Sequence, residues 1–428
     1  MRKRISKPRK IALALLLALL LAGAAGCRYM SIPAKDDVLA GQTKAKSGEA
    51  TNAYNSAVIK GRFAGEGINR HSTLVLAWRP GDADYTEYAV AAGSGPFMLY
   101  LPQGRYRLFA ITDYNRNGVF EAAEVSGRYG APGGPEEISV REGELVSGVV
   151  IALSRSGGHS DALPLEWRPK KKQPVLRQLT HNGQTLKVYH EYFSPENAQT
   201  GYWNPSSFMK VFGAHIYLAE DYSPRKIPIL FVHGTEGSPH NWMFFCMRLD
   251  RSRYQPWFFY YPSGIRLGLA ASLLDEELRE LHNRYGFTKM VVVAHSVGGL
   301  TTRSFLTRYA SDKEHAFIRL FFTLATPWSG FSVADASQIL THKSIPAWID
   351  LGTQSAFIAN TLADELPKNV RHYIFYGKDD SLCGDKALDD RAVSCAVQLY
   401  SFPCDHTSIL SDRRVFAQFG KILEKELW

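Results

Sequence analysis

Residues 290–300, MVVVAHSVGGL, place a serine between an apolar strand-like run and a helix-like run. A strand that turns sharply into a helix needs small side chains around the turn, because the two elements meet there closely. Ala294 and Gly298 meet this requirement on either side of Ser296, in an Ala-x-Ser-x-Gly pattern. The stretch therefore predicts that Ser296 is a nucleophile presented at the end of a buried strand.

Strand-like and helix-like runs alternate on both sides of this serine. KIPILFVHG (226–234) reads as a buried strand, ASLLDEELRELHNRYG (271–286) as an amphipathic helix, and HYIFYG (372–377) as a later strand. Such alternation implies a mostly parallel sheet with helices on both faces. We therefore expect an α/β catalytic domain over residues 166–428.

The loop that follows KIPILFVHG supplies a second part of the expected site. An acyl-transfer enzyme holds the oxyanion of its intermediate with two backbone N–H groups. One comes from the residue after the nucleophile, Val297, and the other from this loop, where Gly234 leaves the N–H of Thr235 accessible. His233 is expected to organise the turn by hydrogen bonds and not to act as a base.

Six stretches follow one another in order from about residue 193 to the C-terminus: IPILFVHGTEGSPHNW, FFYYPSG, VVVAHSVGGL, TLATPWSG, SIPAWIDLGTQSAFIANTL and DHTSIL. Together they resemble bacterial α/β-hydrolase-fold lipases and esterases, especially those similar to GPI-inositol deacylases. The resemblance covers somewhat more than half of the chain. It implies an α/β hydrolase fold and a catalytic serine, acid and histidine in that chain order.

The histidine and the acid lie late in the chain. His406, in the loop before a terminal helix, is the expected base, whereas its rival His372 heads a strand. Two aspartates compete for the acid. The run DDRAVSCAVQL resembles the Asp-x-x-Val segment of lipases and favours Asp390, while a Gly-x-x-Asp turn from Gly377 favours Asp380. We take Asp390 as the preferred acid and Asp380 as the alternative.

The resemblance implies a serine hydrolase that cleaves carboxylic esters, with a lipid or another amphiphile as the substrate. No cofactor is expected for catalysis. Acyltransferases and peptidases use the same constellation of groups and are alternatives within enzymes. A surface binding or adhesion lipoprotein, built on an inactive hydrolase scaffold, is the alternative from another class.

The N-terminus has the pattern of an export signal. Residues 1–26 combine a basic start, an apolar stretch from residue 11 to residue 22, and small residues before Cys27. Ala24 to Cys27 resembles a lipobox, which implies a signal peptide, acylation of Cys27 by chains such as palmitate, and a membrane anchor. Residues 27–53 read as a flexible tether. We expect a lipid-anchored protein of the cell envelope, at the outer membrane.

Charge argues against a nucleic-acid partner. The chain has 50 basic and 41 acidic residues, but six of the basic residues and none of the acidic ones lie in residues 1–26. The remainder has 44 basic and 41 acidic residues, a nearly neutral balance. A polyanion partner is therefore not expected.

Four cysteines follow Cys27: Cys246, Cys383, Cys395 and Cys404. In an exported protein they are candidates for disulfides, and the last three lie close together in the sequence. We expect one bridge among those three, with Cys246 either joining the set or buried as a small apolar residue. The spacing does not indicate a zinc site.

Residues 54–165 contain short alternating runs separated by glycine, proline and aspartate, which is typical of an antiparallel β-sandwich. The segment PQGRYRLFA (102–110) resembles a strand of small transthyretin-like and carboxypeptidase-regulatory-like sandwiches. The basic run PKKKQP (169–174) fits neither strand nor helix spacing and indicates a linker. The expected architecture is thus a small all-β sandwich domain followed by an α/β hydrolase fold.

Residues 113–124, DYNRNGVFEAAE, fit the calcium-loop pattern D-x-[DN]-x-[DN]-G-x5-E. The expected oxygen ligands are Asp113, Asn115, Asn117, the carbonyl of Val119, and Glu124. The preceding run is a strand and not the helix of an EF-hand. An ordinary hairpin turn rich in Asp, Asn and Gly is therefore the alternative to a structural calcium site.

Overall fold

The computed structural model describes residues 56–65, 71–82, 85–92, 95–118, 120–130, 136–154, 181–310, 315–331 and 345–428. The chain divides into two units, Met1–Gly48 and Glu49–Trp428, and every described residue lies in the second. The expected signal peptide, the tether and the linker at 169–174 fall outside the described residues. Within the described ranges, every helix is too short or too polar to cross a bilayer.

The first part of the second unit is all-β in its described residues. Its strands are β1 (Ser56–Ala64), β2 (Ser72–Trp78), β3 (Glu87–Ala92), β4 (Pro96–Pro102), β5 (Gly104–Thr112), β6 (Val125–Arg128), β7 (Ile138–Val140) and β8 (Leu145–Ala152). One sheet has the order β4-β1-β8, and the other has the order β3-β2-β5-β6 with β7 paired to β5. Apolar side chains of both sheets, such as Ile59 and Leu108, share one core.

One strand pair differs from the expected antiparallel arrangement. β1 and β8 run parallel, with Phe63 opposite Ile151. Parallel neighbours need a long crossover connection. The chain between β1 and β8, which includes β2 to β7, provides that connection.

The second part contains the main sheet. Its strands are β9 (His215–Leu218), β10 (Ile227–Val232), β11 (Tyr254–Tyr260), β12 (Met290–His295), β13 (Ile318–Leu324), β14 (Arg371–Gly377) and β15 (Gln398–Phe402). Their order is β15-β14-β13-β12-β10-β11-β9, and each neighbouring pair is parallel except β9 with β11. This is an α/β hydrolase fold with a mostly parallel sheet, as the sequence predicts for the C-terminal region.

Helices cover both faces of this sheet. They are α1 (Pro195–Trp203), α2 (Pro205–Phe212), α3 (Met243–Arg248), α4 (Leu267–Tyr285), α5 (Val297–Arg308), α6 (Pro346–Leu351), α7 (Ala356–Ala363), α8 (Asp390–Ser394) and α9 (Arg413–Leu427). Side chains of successive residues in β10 point to opposite faces of the sheet, because side chains alternate along a strand. Leu230 packs in the core that contains α4 and α5, whereas Phe231 packs with α3 and α9.

The all-β part packs directly against the α/β part. Val58 of β1 and Met98 of β4 belong to the same apolar core as Leu274 of α4. A buried ion pair accompanies this contact, since Lys60 Nζ lies 2.5 Å from Glu277 Oε1. Burial alone would raise the pKa of Glu277, but His215, whose Nδ1 lies 2.8 Å from Glu277 Oε2, and Lys60 together lower it. Burial alone would lower the pKa of Lys60, but the Glu277 carboxylate and its acidic neighbours raise it.

Candidate active site

Ser296 occupies the strained turn between β12 and α5. Its φ angle is +53°, in the left-handed region that a non-glycine residue rarely adopts. Small neighbours are required there: a Cβ added to Gly298 would lie 2.5 Å from the carbonyl oxygen of His233, and one added to Gly299 would lie 2.0 Å from Thr326 Oγ1. The strand and the helix therefore approach each other closely, as the small residues around Ser296 predict.

A histidine and an aspartate from later loops meet this serine. His406 lies between β15 and α9, and its Nε2 is 3.0 Å from Ser296 Oγ. Its Nδ1 is 2.9 Å from Asp380 Oδ2. The hydroxyl, the imidazole and the carboxylate therefore form one continuous hydrogen-bonded relay, the arrangement that activates a serine for nucleophilic attack.

The structure corrects the choice between the two aspartates. Asp390, the preferred acid of the sequence analysis, is the exposed first residue of the short helix α8. The adjacent Asp389 caps that helix by accepting the backbone N–H of Arg391. The Asp-x-x-Val pattern therefore marks the start of a helix, and Asp380 is the aspartate that contacts His406.

Asp380 reaches His406 through a tight turn after β14. The turn requires Gly377, because a Cβ there would lie 2.2 Å from the carbonyl oxygen of Cys404 in the histidine loop. Burial by itself raises the pKa of Asp380, but hydrogen bonds from His406 and from the backbone N–H groups of Leu382 and Cys383 outweigh burial. The net pKa is lowered, so the carboxylate is ionised and can orient the imidazole.

The predicted oxyanion groups flank Ser296. Val297 is the first residue of α5, and the N–H groups in the first turn of a helix have no partner within that helix. Gly234 lies against the serine, since a Cβ added to it would be only 2.6 Å from Ser296 Cβ. Thr235, next to Gly234, is exposed beside this contact. The Val297 N–H therefore belongs to the residue that follows the nucleophile. The Thr235 N–H belongs to the residue that follows Gly234, which lies against the nucleophile.

A strained turn carries Thr235. Gly237 N–H donates to the carbonyl of Gly234 at 3.1 Å, which closes the turn. Glu236 adopts a φ angle of +50° within it, and its N–H donates to Ser263 Oγ at 3.1 Å. The Glu236 carboxylate also accepts the indole N–H of Trp203 at 2.8 Å. Two side chains thus hold a residue whose backbone would suit glycine better.

Two other histidines have structural roles. Burial lowers the pKa of His233 to about 4, and its two ring nitrogens bond the Gly234 carbonyl and the Tyr261 N–H. His372, the rival base of the sequence analysis, is fully buried in the sheet, with Nε2 3.0 Å from Thr323 Oγ1. Burial also lowers its pKa. His233 therefore braces the oxyanion loop, and His372 is a core residue.

The expected disulfide is absent from the described residues, where all four cysteines are free thiols. Cys246, Cys383 and Cys404 are buried among apolar side chains on one face of the sheet. Burial raises the pKa of the Cys246 thiol to about 12. The prediction of a bridge is thus wrong, and the three buried cysteines pack as small apolar residues.

The predicted calcium ligands lie in the hairpin between β5 and β6. Their oxygens accept hydrogen bonds from the backbone of the loop itself: Asp113 Oδ1 and Asn115 Oδ1 from Asn117 N–H, Asp113 Oδ2 from Gly118 N–H, and Glu124 Oε1 from Tyr114 N–H. These bonds are those of an ordinary Asp- and Asn-rich turn. Val119 lies outside the described residues, and calcium binding stays a prediction.

One family profile and several solved structures are similar to parts of this chain. The profile of a family described as "Alpha/beta hydrolase of unknown function (DUF915)" matches residues 267–399. No curated protein shows significant similarity to the chain. The solved structures that resemble it include lipase BlEst2 of Bacillus licheniformis in mature form, with 20% identity over 49% of this chain and 97% of that chain and a TM-score of 0.40.

Two further structures show the same range of similarity. Lipase B of Aspergillus fumigatus is 14% identical, with 61% of this chain and 63% of that chain covered and a TM-score of 0.40. The lin2722 gene product of Listeria innocua is 17% identical, with 47% and 94% covered and a TM-score of 0.37. The order of the main sheet and the turn at Ser296, described above, carry the fold assignment.

Proposed function

We propose that the chain is a serine hydrolase that cleaves carboxylic esters through an acyl-enzyme on Ser296. The observation that carries the proposal is the relay from Asp380 through His406 to Ser296, with hydrogen-bond distances of 2.9 Å and 3.0 Å. A strained strand-to-helix turn presents the serine. An intact relay of this kind opposes the alternative of an inactive scaffold.

The reaction follows from the positions of these groups. His406 Nε2 takes the proton of Ser296 as Oγ attacks the acyl carbon, and the N–H groups of Thr235 and Val297 hold the oxyanion. His406 then gives that proton to the leaving alcohol. Asp380 holds Nδ1–H and stabilises the imidazolium without becoming protonated. Water deprotonated by His406 finally hydrolyses the acyl-enzyme and regenerates the serine.

Exposed apolar side chains near the site support a lipid or another amphiphile as the substrate. Trp203, 62% exposed, is bonded to Glu236 in the oxyanion turn, and Leu382, 53% exposed, donates its N–H to Asp380. Large exposed apolar groups beside a catalytic centre are suited to contact an apolar portion of a substrate. A lipid anchor at Cys27 would keep the enzyme close to such substrates.

The export signal at residues 1–26, the anchor at Cys27 and a cell-envelope location belong to this proposal. Acylation at Cys27 would hold the protein on a membrane surface, because two or more acyl chains give stable attachment. The sequence division into an all-β sandwich domain (54–165) and a catalytic domain (166–428) is part of the same proposal. The all-β domain packs through β1 and β4 against the catalytic part.

Labelling with a fluorophosphonate tests the proposed reaction, because this reagent forms a covalent bond with activated serines. The wild-type protein is expected to be labelled, and Ser296→Ala is expected to be unlabelled and folded. A series of p-nitrophenyl esters, from acetate to long acyl chains, then measures the preference for the acyl group. A maximum at long chains supports a lipid-like substrate, whereas activity confined to acetate contradicts it.

A further inference from the structure

His295 immediately precedes Ser296, at the last position of β12. Its side chain lies against the loop of His406: Nε2 is 2.8 Å from the backbone carbonyl oxygen of His406. The centroids of the two imidazole rings are 4.8 Å apart. The residue before the nucleophile is therefore bonded to the residue that activates the nucleophile, through a contact that the reaction described above does not use.

The ring of His295 is a neutral hydrogen-bond donor. Burial lowers the pKa of His295 to about 3, so the imidazole carries a single proton at neutral pH. A carbonyl oxygen only accepts hydrogen bonds, which places that proton on Nε2. Neutrality also suits the reaction, because a cation on His295 would oppose the positive charge that develops on His406.

Asp380 and the turn at Asp405 also help to hold the loop of His406, in other ways. Asp380 fixes the ring through Nδ1, and Asp405 braces the turn by accepting the N–H groups of Thr407 and Ser408. Neither contact ties the backbone of His406 to the strand that carries Ser296. The hydrogen bond from His295 makes that connection. Its loss matters because a shift of about 1 Å in a reacting group can cost about 10²-fold in rate.

We propose that His295 is a positioning residue whose Nε2–H holds the His406 carbonyl, so that His406 Nε2 stays in contact with Ser296 Oγ. This inference rests on the proposed serine hydrolase function and adds a residue to it. His295 acts through His406 and not on the substrate. Its removal is therefore expected to lower kcat and to leave KM nearly unchanged.

Two substitutions of His295 distinguish the effect of losing its N–H donor from the effect of losing its ring. His295→Phe keeps a ring of similar size and removes the donor, whereas His295→Gln retains an uncharged N–H donor that can reach the same carbonyl. For hydrolysis of p-nitrophenyl acetate by the full chain, we expect kcat to fall about 10²-fold in His295→Phe. His295→Gln is expected to recover most of that loss, with KM nearly constant in both variants.

His372→Gln is the matched control, because it also replaces a neutral imidazole at a strand position, but this imidazole is fully buried in the sheet, with Nε2 3.0 Å from Thr323 Oγ1. It is expected to lower thermal stability and to leave kcat unchanged. A loss of kcat in this control equal to that in His295→Phe would mean that any histidine of the sheet has the same effect, and would overturn the proposal.

The ¹⁵N chemical shifts of the His406 ring give a readout that does not depend on turnover, since they report its tautomer and hydrogen bonding. We expect the wild type and His295→Gln to share one set of shifts and His295→Phe to move toward a mixture of tautomers. Equal shifts and equal kcat in all three proteins would overturn the proposal, as would equal damage in both variants. A wild type with no ester turnover would refute the proposed function alone, and the shifts would still decide the role of His295.

Discussion

Asp380 Oδ2 lies 2.9 Å from His406 Nδ1, and this contact joins the end of β14 to the loop after β15. The two strands are parallel neighbours, with Gly377 opposite Phe402, so their carboxyl ends open at the same edge of the sheet. The carboxyl end of β12, which is followed by Ser296, lies at the same edge. Ligand sites of α/β sheets form at the carboxyl ends of the strands, and the candidate site follows this rule.

The contact predicts different effects for the two aspartates. Asp380→Asn should lower kcat by about 10⁴-fold, the scale known for the same change in a serine protease, because the amide favours the wrong imidazole tautomer. Asp390→Asn, on the exposed start of α8, is the matched control and should stay within about twofold of wild-type turnover. Steady-state kinetics on one ester checks both. A larger loss in Asp390→Asn than in Asp380→Asn would contradict the assignment.

The close approach at the oxyanion loop predicts a second contrast. Gly234→Ala would bring a Cβ to 2.6 Å from Ser296 Cβ, so the loop must move and the Thr235 N–H with it. We expect turnover to fall by about 10²-fold or more, the usual cost of one oxyanion donor. Kinetics with a short ester measures this loss.

Gly420→Ala is the control for that change. Gly420 lies inside α9, and an added Cβ would meet nothing within 4 Å. Alanine there should stabilise the protein by about 0.5–1 kcal/mol and leave turnover unchanged. Near-wild-type turnover in Gly234→Ala would show that the N–H of Thr235 is not part of the oxyanion site.

The buried pair of Lys60 and Glu277 predicts a stability effect at the contact between the all-β and α/β parts. Lys60→Met removes the ammonium partner of the buried Glu277 carboxylate, which keeps its contact with His215, and should destabilise the protein by about 2 kcal/mol. Lys60→Met combined with Glu277→Gln should recover part of this loss, because the buried carboxylate that has lost its ammonium partner becomes a neutral amide. Chemical denaturation at pH 7 measures both variants. Equal stability of Lys60→Met and wild type would contradict the prediction.

The contribution of Lys60 and Glu277 to the stability of the protein depends on pH. The pKa of Glu277 is lowered on folding, so its contribution is present above about pH 4 and is lost as the pH falls through the lowered pKa. The pKa of Lys60 is raised, so its contribution is present below about pH 10 and is lost as the pH rises through the raised value. The difference in stability between wild type and Lys60→Met should therefore be largest between these limits. A difference that grows outside them would contradict the sign of both shifts.

The proposed anchor predicts the behaviour of Cys27→Ser. Thioether acylation requires the thiol, so the variant should either leave the membrane fraction or retain residues 1–26. Fractionation followed by mass spectrometry of the N-terminus distinguishes these forms. A variant that loses residues 1–26 and still sediments with membranes would show that Cys27 does not anchor the protein.

Local patterns in the sequence are sufficient to predict the main sheet and two of the site residues. The turn at Ser296 depends on neighbours such as Gly298, and His406 follows the last strand in a short motif, so each can be recognised within about ten residues. The structure brings these two side chains to 3.0 Å.

The remaining features depend on contacts between distant segments. Asp380 and Asp390 both follow β14, and the turn that packs Gly377 against the Cys404 carbonyl brings Asp380 to His406. The parallel pairing of β1 with β8 depends on how the intervening strands fold back. The role of His295 depends on its contact with a carbonyl 111 residues later. Periodicity and motif spacing carry no information about such contacts.

The central claim is that Ser296 is the activated nucleophile, and identification of the residue modified by a fluorophosphonate tests it most directly. After reaction of the full chain, digestion and tandem mass spectrometry locate the adduct. We predict a single adduct on Ser296, with labelling slowed strongly in Asp380→Asn and unchanged in Asp390→Asn. An adduct on another residue, or a wild-type protein that hydrolyses esters while Ser296 stays unmodified, would contradict the account.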